Sequence, residues 1–75
     1  MNLSDVRINL DCVIKKININ DEKIKIRLME LGLCEGEKIK VVKKSIFKKT
    51  LLIVFNSSCF TLKDNLAKEI TVNYA

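Results

Sequence analysis

The segment Arg27-Leu28-Met29-Glu30-Leu31-Gly32-Leu33-Cys34-Glu35-Gly36 holds both glycines of the chain, and it limits the fold more than any other stretch. An amphipathic pattern runs into Gly32. Glycine accepts the left-handed conformation that ends a helix, so Gly32 reads as a C-terminal cap. Gly36 reads as a turn, and a charged strand leads away from about Glu37. A helix stop and a turn this close together make the hinge of a small fold.

A chain of 75 residues is one domain, near the lower limit for folding alone. A core of this size rarely yields more than about 3–5 kcal/mol of net stability. One small barrel or bundle fits; a deep substrate cleft does not. Apolar residues make up 48% of the chain, which argues against disorder. No apolar run approaches the ~20 residues that cross a bilayer. Asp5 stands where a signal peptide would carry basic residues, and no apolar run follows it. A cytosolic protein is expected.

Cys12, Cys34 and Cys59 are odd in number, far apart, and form no Cys-x-x-Cys pair, so a disulfide framework is not expected. Each reads first as a small hydrophobe. Cys34 stands apart because it falls in the loop between the glycines. The chain has no histidine, which removes the commonest general base and the commonest nitrogen ligand for a metal. No metal site and no cofactor site is expected.

The formal charge is +5, from 14 basic and 9 acidic residues. Arg7 and Arg27 are the arginines; the rest are lysines, several in the doublets Lys15-Lys16, Lys43-Lys44 and Lys48-Lys49. A nucleic-acid binder would need exposed aromatic platforms. Of the few aromatics, Phe55 and Phe60 fall in apolar strands and read as core. Attraction to an anionic membrane surface is another use of such charge, and a solvated lysine-rich face is the simplest.

Along the chain, Leu3 to Val6 forms a short lead-in and Cys12 to Ile17 a first strand. Asn18 and Asn20 are candidate caps for a helix from about Asp21-Glu22 to Leu31. Glu37 to Ile46 alternates as a second strand, and Phe47-Lys48-Lys49 makes a loop. Thr50 to Asn56 is β-branched and apolar enough for a central strand. A turn at Asn56-Ser57-Ser58 leads to a fourth strand, Cys59 to Leu62. A helical turn from Lys63 to Lys68 points Leu66 and Ala67 inward. Glu69 to Tyr74 is a fifth strand, with Ile70, Val72 and Tyr74 on one face. The fold expected is mainly β: a five-stranded, partly open SH3-like barrel spanning residues 1–75. One short α-helix lies between strands 1 and 2, and a helical turn precedes the last strand. Closure limits the exposed edges of so apolar a set of strands.

The helix carries two apolar stripes. At about 100° per residue, Ile24, Leu28 and Leu31 share one face. Ile26 and Met29, with Leu33 if the helix continued, fall on roughly the opposite face. A helix lying on a small barrel buries one stripe, so the expectation is that Leu28 and Leu31 anchor it. Ile26, Met29 and Leu33, together with Ile46 and Phe47 of the second loop, are then the candidate partner-binding residues.

The string Arg27-Leu28-Met29-Glu30-Leu31-Gly32-Leu33-x-x-Gly36 resembles the ferrous iron transport protein A (FeoA) family. The likeness extends through Leu3-Ser4-Asp5, Glu37-Lys38-Ile39, Leu62-Lys63, Ala67, Ile70 and Val72, and so covers nearly the whole chain. There are departures. The family usually has Pro-Gly where this chain has Ile8-Asn9, and asparagine is the ordinary residue that best tolerates a left-handed conformation. It often has a proline where this chain reads Lys48-Lys49-Thr50, and an acid where Leu66 precedes Ala67. These changes touch turns and surface.

The resemblance implies an SH3-like accessory protein of ferrous iron transport. It implies a cytoplasmic protein that docks, by protein contacts, on the GTP-binding ferrous-iron permease of the inner membrane. The same apolar patch would also suit pairing of two copies. An enzyme is not expected, because the chain has neither a Gly-rich phosphate loop nor paired acids in an apolar setting. The alternatives are a transition-metal-binding or a nucleic-acid-binding module of SH3-like fold. Direct insertion into the membrane is not expected.

Overall fold

Alternating burial along five segments builds one antiparallel sheet. A computed structural model describes residues 1–75. Its strands are β1 (Asp11–Ile17), β2 (Lys38–Ser45), β3 (Thr50–Phe55), β4 (Ser58–Lys63) and β5 (Ile70–Tyr74), in the spatial order β4-β3-β2-β1-β5. Helix α1 (Glu22–Glu30) joins β1 to β2, and a single turn, α2 (Asp64–Ala67), joins β4 to β5. This is the SH3-like arrangement expected, with element bounds within a residue or two of those read from the pattern.

Two bulges curl the sheet. In β1, Cys12, Ile14 and Ile17 are buried, while Lys15 and Lys16 are both exposed. Two successive outward residues break the period of two, and the β1–β5 register shifts between Ile14 and Lys16. The β2–β3 register likewise shifts between Val41 and Lys43, beside the exposed Lys43 and Lys44. Two of the lysine doublets thus mark the places where strands bend.

Seventeen apolar residues form the core, with no buried polar side chain. Phe55 is among them, and Phe60 packs edge-on against it, ring centroids 6.0 Å apart at 85°. Ala67 is buried and Leu66 packs against the core from the α2 turn. Ile70 and Val72 point in as expected; Tyr74, on the same face at the strand end, is exposed, and its hydroxyl accepts the Arg7 N–H at 2.9 Å.

The N-terminal lead-in is a 3-10 turn, Leu3–Asp5, held at its start by the Asn2 side chain accepting from Ser4. Leu3 and Val6 are fully buried, and the Val72 N–H donates to the Met1 carbonyl at 2.8 Å, so this segment covers part of the β5 edge. Asn9 takes φ 67°, the left-handed turn conformation that asparagine accepts in place of glycine. Asn56 and Ser57, at φ 48° and 64°, form the two-residue turn of the β3–β4 hairpin, and Ser58 already belongs to β4.

Candidate docking surfaces

Helix α1 starts at Asp21, whose Oδ1 accepts the N–H groups of Lys23 and Ile24 at 3.0 and 3.3 Å. This corrects the expected capping by Asn18 and Asn20. Asn18 instead ties the chain to β5, with its N–H on the Glu69 carbonyl and its side-chain amide on Thr71. At the other end the Gly32 N–H donates to the Met29 carbonyl (2.9 Å) and the Leu33 N–H to the Leu28 carbonyl (2.8 Å). With Gly32 at φ 94°, this is a Schellman ending. A side chain at Gly32 would also meet the Phe55 ring at 3.0 Å, so the glycine serves both the left-handed turn and the close packing. Gly36, at φ 90°, has open space around it, and only its backbone conformation calls for glycine.

This ending reverses two sequence expectations. Leu33 is not a partner-binding residue; it is fully buried, 0% exposed, because the Schellman turn folds the chain back and carries it into the core. Leu31 is not an anchor of the helix; it is the C-cap residue and 51% exposed. The inward residues are Leu28, with Ile24 partly buried against the core, and Leu33 takes the place expected for Leu31. Ile26 and Met29 are exposed as expected. The outer surface of α1 therefore presents Ile26 and Met29, and Leu31 is exposed at the C-terminal cap. Beside Met29 lies a shallow hollow lined by Ile17, Lys25, Cys34 and Glu35.

Ile46 and Phe47 are the most exposed large apolar residues, at 86% and 100%. They stand at the tip of the β2–β3 hairpin, beyond the last pair, Ser45 with Thr50. They do not share a patch with α1. Gly32 sits against Phe55 at the far end of β3, roughly 17 Å along the strand from Thr50 at about 3.3 Å per residue. One apolar patch expected from the sequence is thus two, at opposite ends of the hairpin.

The free cysteines differ in setting: Cys12 is buried, Cys34 half-buried and Cys59 exposed. Burial, and secondarily the charge of Asp11, pushes the Cys12 thiol pKa above its ordinary value. No three Cys, Asp or Glu side chains come together as a metal-binding group. No helix is long and apolar enough to cross a membrane.

Known proteins share this architecture. A protein of Campylobacter jejuni assigned as Fe(2+) transport protein A is 27% identical over 73 residues, covering 97% of each chain. The solution structure of FeoA from Chlorobium tepidum superposes with a TM-score of 0.90 at 27% identity, covering 99% of this chain and 70% of that one. The zinc-complexed FeoA of Stenotrophomonas maltophilia, described as a prokaryotic SH3 domain protein, superposes at 0.82 with 28% identity, covering 97% of this chain and 89% of its own. The model of the FeoA domain matches residues 1–74, and the chain belongs to the FeoA domain family.

Proposed function

We propose that this protein is an accessory of ferrous iron transport that works in the cytoplasm by contact rather than by turnover. It docks through the outer face of α1 on the cytoplasmic, GTP-binding part of a ferrous-iron permease. The observation that carries the reading is the exposed apolar pair Ile26 and Met29 on the outer face of α1, with Leu31 exposed at the C-cap, on a helix whose two ends are both capped. Apolar side chains with charged neighbours such as Lys25 and Glu30 have the anatomy of a protein-binding surface, where few residues carry most of the affinity. Family membership supports the iron-transport setting, in line with the name of the Campylobacter relative.

Met29→Asp and Leu31→Asp test it. Both side chains are exposed, so both variants fold, as circular dichroism will report. Each is expected to lose capture by the permease's cytoplasmic part and to lower iron uptake. Normal capture and uptake by both folded variants would exclude this surface. Loss of self-association, with permease capture intact, would assign this surface to a second copy of the chain.

A further inference from the structure

The hairpin end of the barrel gathers the charge of the whole molecule. Three adjoining hollows around the β2–β3 tip are lined by Lys43, Lys44, Lys48, Lys49, Lys63 and Lys68, with Asp64 as the one acid. Six lysines against one carboxylate leave +5, the net charge of the entire chain, so the remaining basic and acidic groups balance. The fold makes this concentration. Thr50 pairs with Lys63, and the Asp64 N–H donates to the Lys49 carbonyl at 2.8 Å, which clamps the start of α2 beside the hairpin tip. Asp64 pairs with Lys68 at 3.5 Å and offsets one of the six cations. Lys44 Nζ donates to the Ser4 carbonyl at 3.0 Å, an acceptor without charge.

Among these lysines stand Ile46 and Phe47, both largely uncovered. The lysines surround the base of the hairpin tip: Lys44, Lys49 and Lys68 line one hollow, Lys43 and Lys48 another, and Lys48, Lys49, Lys63 and Lys68 a third. An exposed apolar tip flanked by cations matches a plane of negative charge with an apolar layer beneath it. Lysine ammoniums are drawn to anionic headgroups, and an aromatic and an aliphatic side chain enter the boundary below them. We propose that the β2–β3 hairpin end is a peripheral membrane-docking site for anionic phospholipid, with Phe47 and Ile46 inserted and the lysines on the headgroups. This goes beyond permease docking and does not rest on it. It would hold the outer face of α1 at the far end of the hairpin, turned away from the bilayer.

The full chain is tested by co-sedimentation with vesicles of equal parts phosphatidylglycerol and phosphatidylcholine, and with vesicles of phosphatidylcholine alone. Binding is expected to the anionic vesicles only. It should fall away between about 0.1 M and about 1 M salt, where the screening length drops from about 10 to about 3 Å. The double variant Lys48→Glu/Lys49→Glu should lose about tenfold or more in partitioning. The Phe47→Trp variant supplies the protein's only indole; its emission should shift to the blue on anionic vesicles and be quenched by lipids brominated in their acyl chains. Met29→Asp should bind vesicles like the parent. Equal binding to neutral vesicles, an unaffected charge-reversal variant, or an emission unchanged by vesicles would overturn the proposal. So would equal retention of the parent by duplex DNA or polyglutamate at the same salt, since that describes a general charge effect or a different partner.

Discussion

The backbone N–H of Leu33 donates to the carbonyl of Leu28 at 2.8 Å, and both side chains lie in the core. This bond closes the helix and sets two of three nearby leucines, Leu28 and Leu33, in the core while Leu31 stays exposed. Leu33→Ala is therefore expected to destabilise the fold by about 2–5 kcal/mol, as buried leucine truncations do. Leu31→Ala, at an exposed cap position, should stay within about 0.5 kcal/mol of the parent. Chemical denaturation of the two variants checks the order; equal losses would contradict this account of the helix end.

The two glycines are expected to respond differently to alanine. Gly36→Ala meets only the left-handed backbone penalty, about 1–2 kcal/mol. Gly32→Ala meets the same penalty and also presses a Cβ to 3.0 Å from the Phe55 ring, so it should cost more. Phe55→Leu should cost less in the Gly32→Ala background than in the parent, because it also removes the ring that the new Cβ meets. Thermal melts of the parent, the single variants and the double variant would detect it; a Gly36→Ala variant less stable than Gly32→Ala would contradict the close packing at Gly32.

Thiol labelling should follow burial. Cys59 is exposed and should react first, Cys34 next, and Cys12 only as the protein opens. The Cys12 thiol is raised by burial and then by Asp11, so its ionised form is disfavoured in the folded state. Its contribution to stability is complete below the ordinary thiol value near 9.0 and is lost as the pH climbs from there through the raised folded value. The parent should lose stability over that alkaline range faster than a Cys12→Ala variant. Denaturant midpoints measured across the range decide it, and identical slopes would show that Cys12 does not contribute.

Iron(II) is expected to find no tight, dedicated site on the isolated protein. The chain has no histidine, and no three of its cysteine and acidic side chains come together. Exposed carboxylates alone bind the metal weakly and without selectivity. Anaerobic calorimetry with iron(II) tests this, and stoichiometric binding tighter than about micromolar, lost on replacing cysteines, would contradict it.

Local chemistry in the sequence determined much of this molecule. Gly32 ends the helix because a left-handed residue follows its last turn, and Asn9 turns the chain in the same conformation, which asparagine tolerates. Alternation in β2, β3 and β5 marked the inward residues, since a strand's side chains change face at every step. The exposure of Ile26 and Met29 followed from helical geometry, because one helix cannot bury two opposite stripes on a small barrel. Only the tertiary structure decided the rest. Helical spacing placed Leu31 inward, but the Schellman turn ends that spacing at Gly32 and delivers Leu33 instead. The burial of Leu3, Val6 and Ile19 depends on contacts with elements distant in the chain. Ile46 and Phe47 are separated from α1 by the length of β3, a distance that no local pattern expresses. The lysine cluster arises because strand pairing and the Asp64–Lys49 backbone bond bring together charges from three segments of the chain.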